Sequence, residues 1–158
     1  MDYLFRQGIV NAHICIGYMG KGNIREKIYE RIKQIGYILP VISDPSTSIA
    51  MDAVVEEGTF AAKMSVINSG AYIGKCAIIN SGAIIEHDCR VGAFSHVSPG
   101  AILCGNVSVG EATHIGAGVV LRQGVNIGDH CIIGMGSVVL EDIPDNVVAY
   151  GNPCEVVS

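Results

Sequence analysis

Aliphatic residues recur at every sixth position through most of the chain. With Ile49 in register, steps of six land on Val55, Ala61, Ile67, Ile73, Ile79, Ile85, Val91, Val97, Leu103, Val109, Ile115, Leu121, Ile127, Ile133 and Val139, and fifteen of these sixteen are Ile, Val or Leu. Four places further along each hexad stand Ala53, Thr59, Ser65, Ala71, Ala77, Ala83, Cys89, Ser95, Ala101 and their successors, nearly all small or β-branched. A period of six is neither the 3.6 of a helix nor the 8–12-residue spacing of hairpins. It fits a parallel β-helix whose short strands each bury one branched side chain. Of the fourteen glycines between positions 49 and 144, thirteen lie at the second or fourth place of a hexad, and both places are read as sharp turns where positive φ favours glycine. The fourteenth is Gly105, at the third place.

Ahead of the repeat, Ala12 to Gly17 (AHICIG) reads as a strand, Gly22 to Gly36 as an amphipathic helix and Tyr37 to Ile42 (YILPVI) as a second strand. That is a small βαβ fragment over residues 1–45. Asp44-Pro45-Ser46 forms the joint to a β-helix over 46–158, whose last segment, IPDNVVAYGNPCEVV, is expected to cap the open coil. The predicted class is therefore mainly β.

Composition narrows the function. A net charge of −5 without a basic cluster argues against nucleic acid, and no window approaches the roughly 20 apolar residues of a membrane span. The high apolar fraction then points to a core and a subunit interface, hence an oligomer. The six cysteines form no CxxC pair or metal-finger spacing, as a reducing compartment such as the cytoplasm permits.

The stretch IIEHDCRVGAFSHVSPGA, Ile84 to Ala101, carries the candidate chemistry. If three hexads make one coil, residues eighteen apart stack on successive rungs, about 4.8 Å apart. His87 then lies beneath Gly105, and His96 beneath His114. A missing side chain above His87 opens a gap and exposes a backbone N–H, which a reacting carbonyl needs beside a base. Asp88 is placed to fix the tautomer of His87 and raise its basicity. His114 has a second reading, as a residue that shapes a subunit interface. His130 reads as a surface histidine, and His13 receives no role.

These residues, with the following LCGNVSVG, resemble the hexapeptide-repeat acyltransferases of the sialic-acid O-acetyltransferase and bacillosamine-type N-acetyltransferase branch. The resemblance implies a left-handed β-helix, a homotrimer, and acetyl-CoA as co-substrate with a sugar acceptor. By position it makes His87 the general base, Asp88 its acid, His96 a contact to acetyl-CoA, and Gly105 the N–H donor to the thioester oxygen. The backbones near Ala117 and Met135 would line a pantetheine groove between subunits. HICIG with NIREKIYERI is similar to the second half of that family's nucleotide-sugar domain, which makes Gly17 and Asn23 candidate acceptor contacts. The family's usual opening strand, glycine-rich loop, helix and further strand do not precede this segment. The loop Gly17 to Asn23 reads as a strand-to-helix turn, with phosphate binding as the alternative. Cys154 and Glu155 stand where the family commonly has alanine and a basic residue, leaving Lys75 and Arg122 as candidate cations for the CoA phosphates.

No metal is expected. Two other functions fit the repeat: a γ-type carbonic anhydrase with zinc on His96, His114 and a neighbour's His87, and a non-catalytic β-helix scaffold. The H-x4-H pair of the former is absent from the sequence.

Overall fold

A computed structural model describes residues 1–18 and 22–158. Its body is a left-handed parallel β-helix of two-residue strands arranged in three faces. The first face runs Ile42–Ser43, Phe60–Ala61, Ile78–Ile79, His96–Val97, His114–Ile115 and Ile132–Ile133, and ends in Val148–Gly151 and Cys154–Val156. The second face holds Ser48–Ile49, Val66–Ile67, Ile84–Ile85, Ile102–Leu103, Val120–Leu121 and Val138–Val139. The third holds Val54–Val55, Tyr72–Ile73, Arg90–Val91, Ser108–Val109 and Asn126–Ile127. From Ile42–Ser43 to Val120–Leu121 each strand pairs with the one eighteen residues on, as His96 does with His114 and Ile102 with Val120, while Ile132–Ile133 pairs sixteen residues on with Val148–Ala149.

The hexad explains the core. The first-place aliphatics Ile73, Ile79, Ile85, Leu103, Ile115 and Ile133 are fully buried, and the fifth-place small residues stack between them. Polar fifth-place residues are tolerated because their hydroxyls bond backbone carbonyls: Ser95 Oγ donates to Gly110 O at 2.6 Å and Thr113 Oγ1 to Gly128 O at 2.7 Å.

The glycines divide by place, which corrects the expectation that both places need positive φ. Only those at the fourth place are left-handed, such as Gly100 at φ 67°, and Asp88 and Asn106 adopt the same conformation there, both at 59°. Second-place glycines answer to space instead. A Cβ on Gly116 would fall 2.6 Å from the backbone N of Met135 on the next rung.

The amino-terminal segment differs more from expectation. Helix α1 (Asp2–Arg6) has no counterpart in the sequence reading, while α2 (Ile24–Ile35) falls within the predicted span and ends at Gly36, φ 104°. The strands expected at 12–17 and 37–42 reduce to a single parallel bridge between Asn11 and Ile38. Their apolar residues are used elsewhere: Ile14, Tyr37 and Leu39 bury against Ile32 of α2 and against Cys76, Ala93 and Phe94 of the coil. Ile42–Ser43 pairs with Phe60–Ala61, so the coil starts ahead of Asp44-Pro45-Ser46, a turn closed by Ser46 N donating to Asp44 Oδ1 at 2.9 Å. At the far end Val148–Gly151 joins the first face and folds back onto Cys154–Val156 as an antiparallel hairpin, the expected cap. Among the described residues no helix is long and apolar enough to cross a membrane.

Candidate active site

The third place of each hexad sits at a corner of the coil, and its N–H takes no part in the ladder. At the corner between the third and first faces, acids fill that vacancy at three of five places: Lys75 N donates to Glu56 Oε2 at 2.9 Å, Glu111 N to Asp129 Oδ1 at 2.6 Å and Asp129 N to Asp145 Oδ1 at 2.9 Å. On the other two corners the one such contact among the described residues is Ser81 N donating to Asn80 Oδ1 at 2.8 Å. Among the described residues no acceptor reaches the N–H of His87, Gly105 or Gln123 on the second-to-third corner, nor that of Ala117 or Met135 on the first-to-second corner. Two corners thus present free backbone donors on an exposed surface, as an anionic or carbonyl-bearing ligand requires.

His87 and Asp88 occupy the first of these. His87 Nδ1 and Asp88 Oδ2 are 2.9 Å apart, so the carboxylate holds the Nδ1 proton and leaves Nε2 as the basic nitrogen. Nε2 faces the space above Gly105: a Cβ there would collide with it and lie 2.6 Å from Cε1. Gly105 is not in the left-handed region, so what its missing side chain provides is room for the His87 ring as it stands. The resulting cavity, about 440 Å³, is lined by His87, Gly105, Asn106, Gln123 and Gly124. Asn106 and Gln123 were not singled out from sequence. The signal was present in the spacing, since they stand one rung above Asp88 and Gly105.

Ala117 and Met135 stack on the first-to-second corner, with Gly136 N donating to Ala117 O at 2.8 Å, and the Met135 side chain is 82 % exposed. The chain therefore keeps His87 and these two residues on different corners.

His96 lies elsewhere again, on the first face. It lines an apolar cleft of about 410 Å³ whose opposite wall is His13 to Gly17, with Ile42, Phe60, Ile78 and Asn80 completing it. Nδ1–H of His96 donates to the Tyr18 carbonyl at 2.7 Å, and Asn80 Nδ2 donates to Nε2 at 3.1 Å, so both ring nitrogens are engaged within the chain. His114 crosses its ring edge-on at 5.1 Å. Burial pushes both histidines below the usual imidazole range, and His96 adds to the depression of His114. Gly17 belongs to this cleft, whereas Asn23 is the exposed N-cap residue of α2. Met19 to Lys21, the middle of the Gly17 to Asn23 loop, lie outside the described residues.

Of the two candidate cations, Lys75 is committed to the amino-terminal segment, its Nζ 5.1 Å from the Tyr29 ring centroid. Arg122 is exposed beside Gln123, with a loose 3.8 Å contact to Glu141. The buried Arg25 was also missed from sequence, where it looks like any charge on a helix surface.

Two family models match the chain: bacterial transferase hexapeptide (six repeats) over residues 106–141, and hexapeptide repeat of succinyl-transferase over 82–122. Among solved structures, perosamine N-acetyltransferase PerB of Caulobacter crescentus, in complex with CoA and GDP-perosamine, superposes with a TM-score of 0.95 at 36% identity, covering 99% of this chain and 74% of that one. The chain belongs to the hexapeptide-repeat sugar acetyltransferases. The acetyltransferase domain of PglB from Neisseria gonorrhoeae matches at TM-score 0.84 and 34% identity, over 87% of this chain and 67% of that one. WeeI of Acinetobacter baumannii matches at 0.86 and 27%, over 93% and 70%. The PerB alignment includes the amino-terminal segment as well as the coil, so the family relationship extends over α2 and the cleft. Within this family the His87 corner is the feature to be explained chemically.

Proposed function

We propose that this chain transfers the acetyl group of acetyl-CoA to the amino group of a nucleotide-linked amino sugar, as a homotrimer. The observation that carries the reading is the His87–Asp88 pair opening onto the Gly105 gap. His87 Nε2 takes a proton from the amine as its nitrogen attacks the thioester carbon. The Gly105 N–H stabilises the oxyanion of the tetrahedral adduct, the C–S bond breaks, and the imidazolium returns the proton to the departing thiolate. Asp88 orients the ring throughout.

The trimer is supported by the outward residues of the second face. Val66, Ile84, Ile102, Val120 and Val138 form a half-buried aliphatic stripe running nearly the length of the coil. Closing three such faces around an axis brings the His87 corner of one subunit toward the Ala117 and Met135 corner of the next. The acetyl-CoA groove is then shared, its pantetheine arm bonded by the free N–H groups. Relatives crystallised with CoA or acetyl-CoA support the cofactor, and PerB with GDP-perosamine supports a nucleotide sugar as acceptor. In this reading residues 1–45 serve the acceptor and 46–158 the acetyl transfer, Gly17 and Asn23 flank the acceptor entrance, and the free thiols of all six cysteines fit a cytoplasmic setting. The zinc alternative has no supporting observation, since both nitrogens of His96 are already bonded.

The test is release of free CoA thiol from acetyl-CoA with GDP-perosamine and a panel of nucleotide-linked amino sugars, with mass detection of the N-acetyl product. Absence of turnover on the whole panel, with acetyl-CoA binding intact, overturns the acceptor assignment.

A further inference from the structure

The cleft of the first face has residues 13–17 as one wall and coil side chains, Phe60 and Ile78 among them, as the other. Both walls belong to this chain, and buried bonds between the segment and the coil set their separation. Arg25, only 2 % exposed, donates through Nη2 to Cys76 O and through Nη1 to Phe94 O, the latter at 2.7 Å, and Tyr18 Oη donates to Ala112 O at 2.7 Å. A preformed, mostly apolar cleft selects its ligand through the few polar groups it presents. Most of the imidazole and amide groups here are already engaged: Asn80 Nδ2 donates to His96 Nε2, Asn80 Oδ1 accepts from Ser81 N, and His96 Nδ1–H donates to the Tyr18 carbonyl. His13, to which the sequence alone assigns no role, is the exception. Among the described residues neither of its ring nitrogens has a partner, and its Nδ1 is sealed from solvent.

The sealed Nδ1 decides the tautomer. A neutral imidazole carries one N–H and one lone pair. With the proton on Nε2 only a lone pair is sealed in, whereas a proton on Nδ1 would bury an unbonded donor, which folded structures tolerate less. The doubly protonated ring is disfavoured first by burial and then by the charge of Arg25, which together push His13 below the usual imidazole range. Phe60 meets the ring edge-on, centroids 6.2 Å apart, and fixes its orientation. What His13 has left for the cleft is a neutral Nε2–H.

We infer that His13 is a specificity-determining residue for the acceptor: its Nε2–H donates to a hydroxyl oxygen of the sugar, whose C–H face packs on Phe60 and Ile78. The identity of the ligand rests on the acetyltransferase reading; the unbonded ring does not. A neutral donor among aliphatic and aromatic side chains suits an uncharged hydroxyl. A phosphate would be desolvated there with no cation lining the cleft. The first face adjoins the first-to-second corner, which the proposed trimer turns toward the His87 corner of a neighbour, so a sugar in the cleft lies beside the proposed groove.

The test compares wild type, His13→Phe and His13→Gln. Phenylalanine keeps a ring without a donor, and glutamine keeps an N–H at a similar reach. The probes are GDP-perosamine and its 2-deoxy and 3-deoxy analogues, with affinity read by calorimetric titration and turnover by thiol release. One of the two analogues should bind wild type roughly ten-fold more weakly than GDP-perosamine, the usual cost of a lost neutral hydrogen bond. In His13→Phe, GDP-perosamine itself should weaken by about that factor and the analogue should lose nothing further, while His13→Gln stays within about three-fold of wild type. The effect should fall on the KM for GDP-perosamine, with kcat changed less than about three-fold. Unchanged affinity of folded His13→Phe for GDP-perosamine overturns the assignment, and so does equal binding of all three probes by wild type. Binding without turnover fails the acetyltransferase reading while the affinity comparison still decides His13; neither binding nor turnover fails both.

Discussion

Gly70 and Asp88 stand one rung apart at the same corner, and a Cβ on Gly70 would fall 2.5 Å from Asp88 Oδ1. A glycine beneath the acid and another, Gly105, above the base leave the His87–Asp88 pair with room on both sides. The corner is built around two side chains, and its substitutions should separate accordingly.

His87→Ala should lower kcat by roughly 10² to 10⁴, the range for loss of a positioned proton acceptor, with acetyl-CoA affinity unchanged because the proposed groove holds that ligand through backbone donors. Asp88→Asn should cost less, since the amide can still bond the ring. Steady-state kinetics with calorimetric titration of acetyl-CoA check both. Near wild-type turnover in His87→Ala removes it from the base role.

Gly105→Val should abolish most of the turnover while leaving the fold intact. The side chain fills the cavity over His87 on the outside of the coil, and the backbone at 105 is not in a glycine-only conformation. Circular dichroism and light scattering alongside kinetics decide it: loss of the folded oligomer would show that Gly105 serves structure.

Thr113→Val removes a fully buried hydroxyl that donates to Gly128 O at 2.7 Å and accepts from Cys131 N at 3.0 Å. Two buried backbone groups lose their partner at nearly constant volume. The expected loss is about 1–3 kcal/mol of unfolding free energy, read by denaturant titration.

Ile102→Glu places a carboxylate in the middle of the second-face stripe. It should convert the proposed trimer to monomer, and with it lose turnover, because each proposed groove is shared by two subunits. Light scattering at micromolar concentration reads the mass. An unchanged trimer would move the interface to another face.

Acid should loosen the structure in a defined window. His96 and His114 are held by burial below the ordinary imidazole pKa, so the folded chain binds fewer protons here than the unfolded chain. Stability is therefore full above about pH 6.5 and falls as pH drops from there through the lower folded values. Melting temperature against pH should show this slope, and His96→Asn should reduce it.

Most of the coil was legible because its period is strict. Each hexad repeats the same inward aliphatic and inward small residue, so one register assigns them all, and the off-register Gly105 could be read against that background. The roles of Asn106 and Gln123 were legible in principle through the same spacing. Arg25 and Tyr18 were not, because their partners are backbone carbonyls, which carry no side-chain signature. The strands at 12–17 and 37–42 failed for a related reason. Their apolar residues suit a strand locally, yet the coil surface offered more burial than a two-stranded sheet could.

The stacking by eighteen has a further consequence for how the molecule comes apart. Each rung touches only the rungs above and below, so unravelling has to begin at a free end and proceed inward like a zip. The Cys154–Val156 hairpin closes one end, and Leu39, buried beside Cys76 and bonded through its carbonyl to Gly58 N at 2.9 Å, guards the other. His87 and Gly105 stand near the middle of the stack, the place that fraying from either end should reach last.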